Sequence, residues 1–399
     1  MLLPEHIIFM EKIIQFGEGN FLRAFVDWMV EEMNLRTDFD GSVVVVKPRP
    51  GDSMKPFQEA GCRYTVCVQG QQDGQVIDEL QPIKSISRAI NPYEDTEAYF
   101  KLAEQEGLRF VVSNTTEAGI QFDASCKLTD RPASSYPAKL TQLLYHRWRH
   151  FEGSPSHGLV ILPCELILHN GRELTKCVDE YIELWKLEDS FRDWVKQYCP
   201  IYSTLVDRIV SGKPTPDELD GLKERTGGKE NIFVKAEPYH LWVIEAPATL
   251  ENELPLQKAG LNVLWTNDET PYHERKLTLL NAPHTAMAAL GAEMGLETVR
   301  DCLTHPTLSV FLQEMMHDEL LPTLLPLGLQ QNDLETYIRD VTDRFLNPFL
   351  HHRLTSIRLN AISKCKARLL PPIQRYFDLK GEMPAKLTQG LLANIRLEA

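Results

Sequence analysis

No stretch of this 399-residue chain runs 18 apolar residues without interruption, so no membrane-spanning helix is expected. A surplus of positive charge is missing as well: 42 Lys and Arg stand against 56 Asp and Glu, a net charge of -14. Phosphate backbones need clustered cations, so no broad nucleic-acid surface is expected, although a local cationic pocket for a small anion is still allowed. The eight cysteines, at 62, 67, 126, 164, 177, 199, 302 and 365, form no CxxC and no Cys/His set with zinc-ligand spacing. That usage predicts reduced, mostly buried thiols in a cytoplasmic protein, and no metal site. The opening MLLPEHIIFMEKIIQF interrupts its apolar run with Glu5, Glu11 and Lys12 and has no basic start, so it does not read as a secretory leader. Repeats and low-complexity tracts are absent. What remains is an ordinary globular composition, 43% hydrophobic and 25% charged, at a length that suits two or three domains.

The first half alternates short β-rich runs with helical patterns. Lys12–Phe16, the valine run Ser42–Lys47, Arg109–Ser113 and Gly158–Pro163 read as strands. Continuous apolar runs of this kind suit a parallel sheet covered on both faces. Helical spacing predicts a single helix over Phe21–Met33 and others near 93–106 and 136–150. The alternation predicts an α/β sheet with right-handed crossovers. Residues 61–82 differ, turning at Gly70 and at Asp73-Gly74, and predict an inserted antiparallel hairpin. A strand-like patch follows at His240–Glu245, and from Glu274 onward the patterns are mostly helical.

Three motifs carry chemistry, each with a plainer reading beside it. Gly17-Glu18-Gly19-Asn20-Phe21-Leu22-Arg23 lies between the first strand and first helix, where a dinucleotide fold seats its pyrophosphate. Leu22 stands where a third glycine would complete the fingerprint, so a simple strand–helix turn also fits. The second strand ends Lys47-Pro48-Arg49 instead of in an acidic residue, which suits either a 2′-phosphate or a solvated basic turn. Ser113-Asn114-Thr115-Thr116-Glu117 closes a third strand with groups suited to ribose contacts or to helix capping. Lys276, Asn281 and His284 fall within a 140° arc of an uninterrupted α-helix at 100° per residue. They form either a catalytic set or an exposed stripe, and Pro283 interrupts the pattern. Asp207-Arg208 reads as a buried ion pair or a substrate clamp. Arg344, with His351-His352, offers cations for a carboxylate or interdomain packing.

Together these pieces resemble the mannitol dehydrogenase family, the polyol-specific long-chain dehydrogenases. The resemblance runs from about Glu11 to the last residues, on IIQFGEGNFLRAFVDW, SNTTEAGI, SYPAKLT, PCELI, STLVDRIV, LNVL, the Lys276/Asn281/His284 triplet and RFLNP. It implies a Rossmann-type N-terminal domain over residues 1–228 and a mostly α-helical substrate domain over 229–399, with NAD as cofactor and no metal. The lysine of the family's K-x4-N-x2-H is its general acid/base and maps onto Lys276. Asn281 and His284 then orient and polarise the reacting oxygen. Cofactor contacts map onto Gly17, Gly19, Asn20, Phe21 and Arg23, with Thr115 and Glu117 near the ribose. Asp207, Arg344 and His351 are the substrate candidates, because a substrate carboxylate needs a cation in an acidic protein.

Mannitol-type members carry SCDN where this chain has Pro163-Cys164-Glu165-Leu166, which points to the uronate branch and a hexuronate or aldonate substrate. The expected reaction is reversible hydride transfer between ketone and secondary alcohol in hexuronate catabolism, with Lys276 lowered into a working range by burial. The alternatives are a mannonate- or mannitol-type activity and a catalytically silent nucleotide-binding protein. Uronate-reducing members usually continue beyond GLLANIRLEA, so a shortened C-terminus is expected, one that exposes apolar helix faces. The oligomeric state is not legible.

Overall fold

The computed structural model describes residues 9–51, 53–116, 118–228 and 231–398. Its strands, in chain order, are β1 (Met10–Phe16), β2 (Gly41–Val46), β3 (Tyr64–Gln72), β4 (Gln75–Ile83), β5 (Ile86–Ile90), β6 (Phe110–Ser113), β7 (Val160–Pro163), β8 (Thr204–Asp207), β9 (Val210–Gly212), β10 (Phe233–Ala236), β11 (Leu241–Ile244) and β12 (Val263–Trp265). The main sheet has the order β5-β2-β1-β6-β7 and is parallel throughout. All six residues of β2 are buried, as a valine run covered on both faces requires. The chain steps outward from β1 to β2 and β5, then returns to the other side of β1 for β6. That reversal opens a crevice beyond the carboxyl ends of β1 and β6, where open α/β sheets bind ligands.

The hairpin joins β3 to β4 through Asp73 and Gly74, both with positive φ (51° and 72°), while Gly70, also expected to turn, lies within β3. This is the type I′ conformation that matches strand twist, and Asp-Gly is a residue pair that adopts it readily. β3 continues into a second sheet of order β4-β3-β10-β9, and β12-β11-β8 form a third.

Two helical features depart from the sequence reading. The helix expected over Phe21–Met33 is broken into α1 (Asn20–Arg23) and α2 (Val26–Arg36), with Phe25 at φ -127°, ψ -80°. Side chains from elsewhere take the carbonyls a continuous helix would use: Tyr64 donates to the Arg23 carbonyl at 2.8 Å, and Arg208 to the Ala24 carbonyl at 2.7 Å. Of the other expected helices, the one near 136–150 is α3 (Tyr136–His150), while the one near 93–106 shortens to Thr96–Phe100 and a 3-10 turn at Lys101–Glu104; α4 (Asn170–Leu184) was not expected. The other departure is the boundary. The chain forms two compact units: the described residues up to Cys67 with Leu80–Ala236 and His240–Glu269, and Val68–Glu79 with Glu237–Tyr239 and the residues from Thr270 on. The division after Glu269, later than 228/229, has a physical cause. β11 pairs antiparallel with β8 and parallel with β12, which ties 241–265 to the first unit.

The second unit is helical. Its elements include α5 (Thr270–Lys276), a π-helical turn (Leu277–Asn281), α6 (Ala282–Glu293), α7 (Gln331–Phe345), α8 (Ala361–Arg368) and α9 (Ala385–Glu398). Leu, Met and Ala side chains of α6 form the centre of its core with Leu334, Ile338, Leu369 and Leu387. α9 lies on α6 with Gly390 against Ala286, so close that a Cβ there would come within 2.5 Å of the alanine methyl. All eight cysteines are free and buried. Among the described residues no helix is long and apolar enough to cross a membrane.

Asp27, at the start of α2, is fully buried and accepts from Tyr64 Oη at 3.1 Å and Gln15 Nε2 at 3.3 Å. Burial raises its carboxyl from 3.8 to about 7, against the opposing pull of those hydrogen bonds and of Arg23. Between these two values the folded chain holds a proton that the unfolded chain has released. Stability therefore falls as pH rises from about 4 to about 7, and levels off above that. The Asp27→Asn variant is expected to lose this slope, which thermal melts across the same pH range would read; an unchanged slope would assign it to other groups.

Candidate functional site

The glycine turn sits at the crevice between β1 and β6. Gly17 has φ +135°, and a Cβ on it would lie 2.9 Å from both the Asn114 carbonyl oxygen and Leu22 Cδ1. Only glycine fits such a position. Leu22 thus occupies the place of the third fingerprint glycine and packs into the turn. Gly19 is different: a Cβ there meets nothing within 4 Å. It is the residue before the first turn of α1 and lines a cavity of about 510 Å³ together with Glu18, Asn20, Arg23, Lys47 and Lys213. Three cations and an unobstructed backbone at a strand–helix turn fit a pyrophosphate. Arg23 is held in place by its guanidinium lying 4.2 Å over the Phe57 ring. Phe21 faces the other way, into a cavity of about 550 Å³ with Asn114, Thr116, Ala118, Glu165 and Leu166.

These features separate the two glycines experimentally. Gly17→Ala strains the backbone by about 1–3 kcal/mol and is expected to lower both the melting temperature and NADH affinity. Gly19→Val is expected to leave the melting temperature unchanged while its side chain enters the cavity and weakens NADH binding roughly tenfold or more. Fluorescence titration with NADH would check both; wild-type affinity in Gly19→Val would remove the cavity from cofactor binding.

The strand-end segment after β6 is organised by a buried carboxylate. Glu165, at the end of β7 and 2% exposed, accepts from the Thr115 N–H (3.0 Å), the Thr115 hydroxyl (2.9 Å) and the Ser113 hydroxyl (3.0 Å). Burial raises its carboxyl, partly offset by these donors. Thr115 is therefore spent on Glu165; Asn114, whose Nδ2 donates to the Cys164 carbonyl at 2.7 Å, and Thr116 line the 550 Å³ cavity. Glu117 lies outside the described residues. At the end of β2, Lys47 forms an ion pair with Glu18 at 3.0 Å. A carboxylate already holds the cation that a 2′-phosphate would need, whereas Arg49 is exposed. Asp207 ends β8 and is buried in this first unit; Arg208 lies 4.2 Å over the Trp28 ring.

One set of metal-type donors occurs among the described residues, His169, Glu245 and Glu269, with donor atoms within 4.8 Å of one another. Ion pairs account for its geometry: Arg172 donates to Glu245 at 2.7 Å, and Glu269 accepts the His169 N–H at 2.8 Å and faces its Nδ1 at 3.3 Å.

In the second unit Lys276, Asn281 and His284 do not share a regular α-helix. The intervening turn, Leu277–Asn281, is π-helical. Pro283 has no N–H to return to the Leu279 carbonyl, and the helix widens ahead of it. A π turn bonds residue i+5 to residue i, which is the spacing of Asn281 from Lys276, so the wide turn stacks the two where an α-helix would part them by 140°. Lys276 and Asn281 are half-buried. His284 stacks on Phe345 (5.2 Å between centroids) and meets His352 edge-on (4.9 Å). Its Nε2 is shut off from solvent and has no hydrogen-bond partner among the described residues. Burial, with His352 and the positive charges of Arg368, Arg344 and Lys364 around it, holds this imidazole well below its ordinary pKa. It is neutral at physiological pH and can present Nε2–H as a donor.

The two remaining substrate candidates are placed differently from expectation. Arg344 donates through Nε to both oxygens of Glu237 (3.1 and 3.0 Å) and through Nη2 at 2.8 Å, with both side chains 2% exposed. Its guanidinium also lies 4.3 Å over the Tyr239 ring. The arginine is thus part of a buried pair. His351 is exposed, within electrostatic reach of Asp301, and its neighbour His352 is the one that turns inward. Consecutive histidines face opposite ways, and no periodicity in the sequence distinguishes them.

The comparisons agree on the family. Residues 11–258 match the mannitol dehydrogenase Rossmann domain and residues 268–397 the mannitol dehydrogenase C-terminal domain. Among curated proteins, the altronate oxidoreductase of Phocaeicola vulgatus is 50% identical over 385 residues, covering 96% of this chain and 80% of that protein. The altronate oxidoreductase of Bacillus subtilis is 46% identical over 377 residues, with 94% and 77% covered. Among solved structures, a substrate-free D-sorbitol dehydrogenase superposes with a TM-score of 0.83 at 22% identity over 98% of this chain and 80% of that one. The Pseudomonas fluorescens mannitol 2-dehydrogenase, in a ternary complex with NAD and D-mannitol, superposes at 0.70 and 22% identity, with 96% and 78% covered. At that identity the two structures speak for the fold alone.

Proposed function

The chain belongs to the mannitol dehydrogenase family, and from that membership we propose that it is an NAD-dependent oxidoreductase interconverting altronate and tagaturonate, a cytoplasmic step in hexuronate breakdown. The name shared by relatives 42–50% identical over nearly the whole chain supports the substrate. The observation that carries the chemistry is the unpartnered Nε2 of a neutral His284, one wide turn beyond Lys276 and Asn281.

Bound NAD supplies the hydride acceptor, and the chain's own residues do the rest. Gly17 and Gly19 let the backbone approach the pyrophosphate, and Arg23 and Lys47 border it. The Glu18–Lys47 pair supports NAD over NADP, because Glu18 would repel a 2′-phosphate. Lys276 takes the proton that leaves the substrate hydroxyl as its carbon gives up hydride, and returns it in the reverse direction. The Asn281 amide and the His284 Nε2–H donate to the oxygen as it gains negative charge. A neutral imidazole suits that task, since it gives a hydrogen bond without competing for the proton.

Assaying NADH oxidation with tagaturonate, fructuronate and fructose, each repeated with NADPH, tests the proposal. Selective turnover of tagaturonate with NADH is expected. Preference for fructuronate or fructose would replace the substrate, and no turnover with any of the three would overturn the reading.

A further inference from the structure

The helix α8 carries two cations that the reading above does not use. Lys364 and Arg368 are one turn apart and half-buried, while Ile362, Ser363, Lys366 and Ala367 on the rest of the helix are exposed. Lys364 Nζ donates to the Ile357 carbonyl at 2.6 Å, and Arg368 Nη1 approaches the hydroxyl of Thr285, the residue after His284, at 3.4 Å. Among the described residues neither meets a carboxylate. Other cations of this unit do: Arg375 pairs with Glu274 (2.7 Å), Arg396 with Glu293 (2.8 Å), Lys386 with Glu314 (3.2 Å) and Arg344 with Glu237 (2.8 Å). Desolvation lowers the pKa of both Lys364 and Arg368, and the guanidinium adds to the effect on the amine. Two like charges side by side, half out of water and without a counter-ion, are unfavourable in any protein. They are harder to explain in a chain with fourteen surplus negative charges available for pairing.

Their surroundings say where a missing anion would lie. The positive charge of both residues is felt at His284, and that of Lys364 at His352, so the pair borders the imidazole cluster that carries the orphaned Nε2. We propose that Lys364 and Arg368 form the anion subsite that takes the carboxylate of the substrate, and that they set the preference for a sugar acid over a neutral polyol. This rests on the sugar-acid reading of the preceding section. Arg368 supplies the planar fork that matches a carboxylate, and Lys364 a point charge beside it. Arg344, engaged with Glu237, is not needed for that contact.

The test compares charged with uncharged ligands. Lys364→Gln and Arg368→Gln are each expected to lower kcat/KM for tagaturonate roughly 10- to 100-fold, the range for losing a hydrogen bond to a charged group. Fructose reduction, or inhibition by an uncharged hexitol where fructose is too slow, should be unchanged, as should NADH affinity by fluorescence titration. Arg368→Lys should retain more tagaturonate activity than Arg368→Gln, and it carries the test if the glutamine variant melts early. Equal losses for charged and uncharged ligands, or no loss for the charged one, overturn the subsite. If the wild-type enzyme proves to act on a different uronate, the altronate reading fails, and the same variants judge the subsite on that uronate.

Discussion

Lys276→Ala is expected to slow turnover about 100- to 10,000-fold, the span usually contributed by a positioned acid/base, with NADH affinity unchanged. The reasoning follows the proton. Oxidation at the carbinol carbon releases one, and the second unit offers few groups to receive it. His284 is neutral, buried and ringed by positive charge, so taking the proton there is opposed by every neighbour that lowers its pKa. Asn281 cannot titrate. Lys276, across the wide turn from Asn281, remains. The measurement is the steady-state rate with saturating NADH, paired with NADH titration of the same variant. Retention of more than about a tenth of wild-type turnover would move the acid/base role elsewhere.

The second large effect concerns stability. Removing Arg344 as Arg344→Met strips the guanidinium from a carboxylate that is 2% exposed, and breaking a buried pair from one side costs about 3–5 kcal/mol. The double variant Arg344→Met/Glu237→Leu removes both charges and should recover much of that loss. Urea unfolding of the two variants would show it. A double variant no more stable than the single would mean that the pair is not the source. The consequence for function is that changes at Arg344 should appear first as lost folded protein, and only secondarily as altered substrate choice.

The parallel sheet was legible because its signal is local: four consecutive valines can only be a strand buried on both faces, and Asp73-Gly74 can close a tight hairpin without outside help. The glycine turn was legible for the same reason. The break at Ala24-Phe25 was not, because its causes, Tyr64 and Arg208, lie about 40 and 184 residues away along the chain. The boundary was misplaced because β11 looks like an isolated strand until its two partners are known. The Lys276, Asn281 and His284 triplet was picked out by residue type, but its geometry followed from 3.6 residues per turn, and a π turn does not announce itself by composition. Lys364 and Arg368, spaced four apart, were visible in principle. Nothing in the sequence told them from the solvated basic pairs that line many helices; what distinguishes them is that neither meets a carboxylate among the described residues.

The widened turn ahead of Pro283 has a last implication. An extra residue in one turn sets every later side chain back by about 100°, so the segment before it and the segment after it keep two separate rotational phases. The amine and the imidazole are brought into step by that single offset. Closing that turn to an ordinary helical screw without losing a residue would part the amine and the imidazole by about 80°, whereas deleting one of its five residues would keep them about 20° apart, seven residues and 700° along the screw.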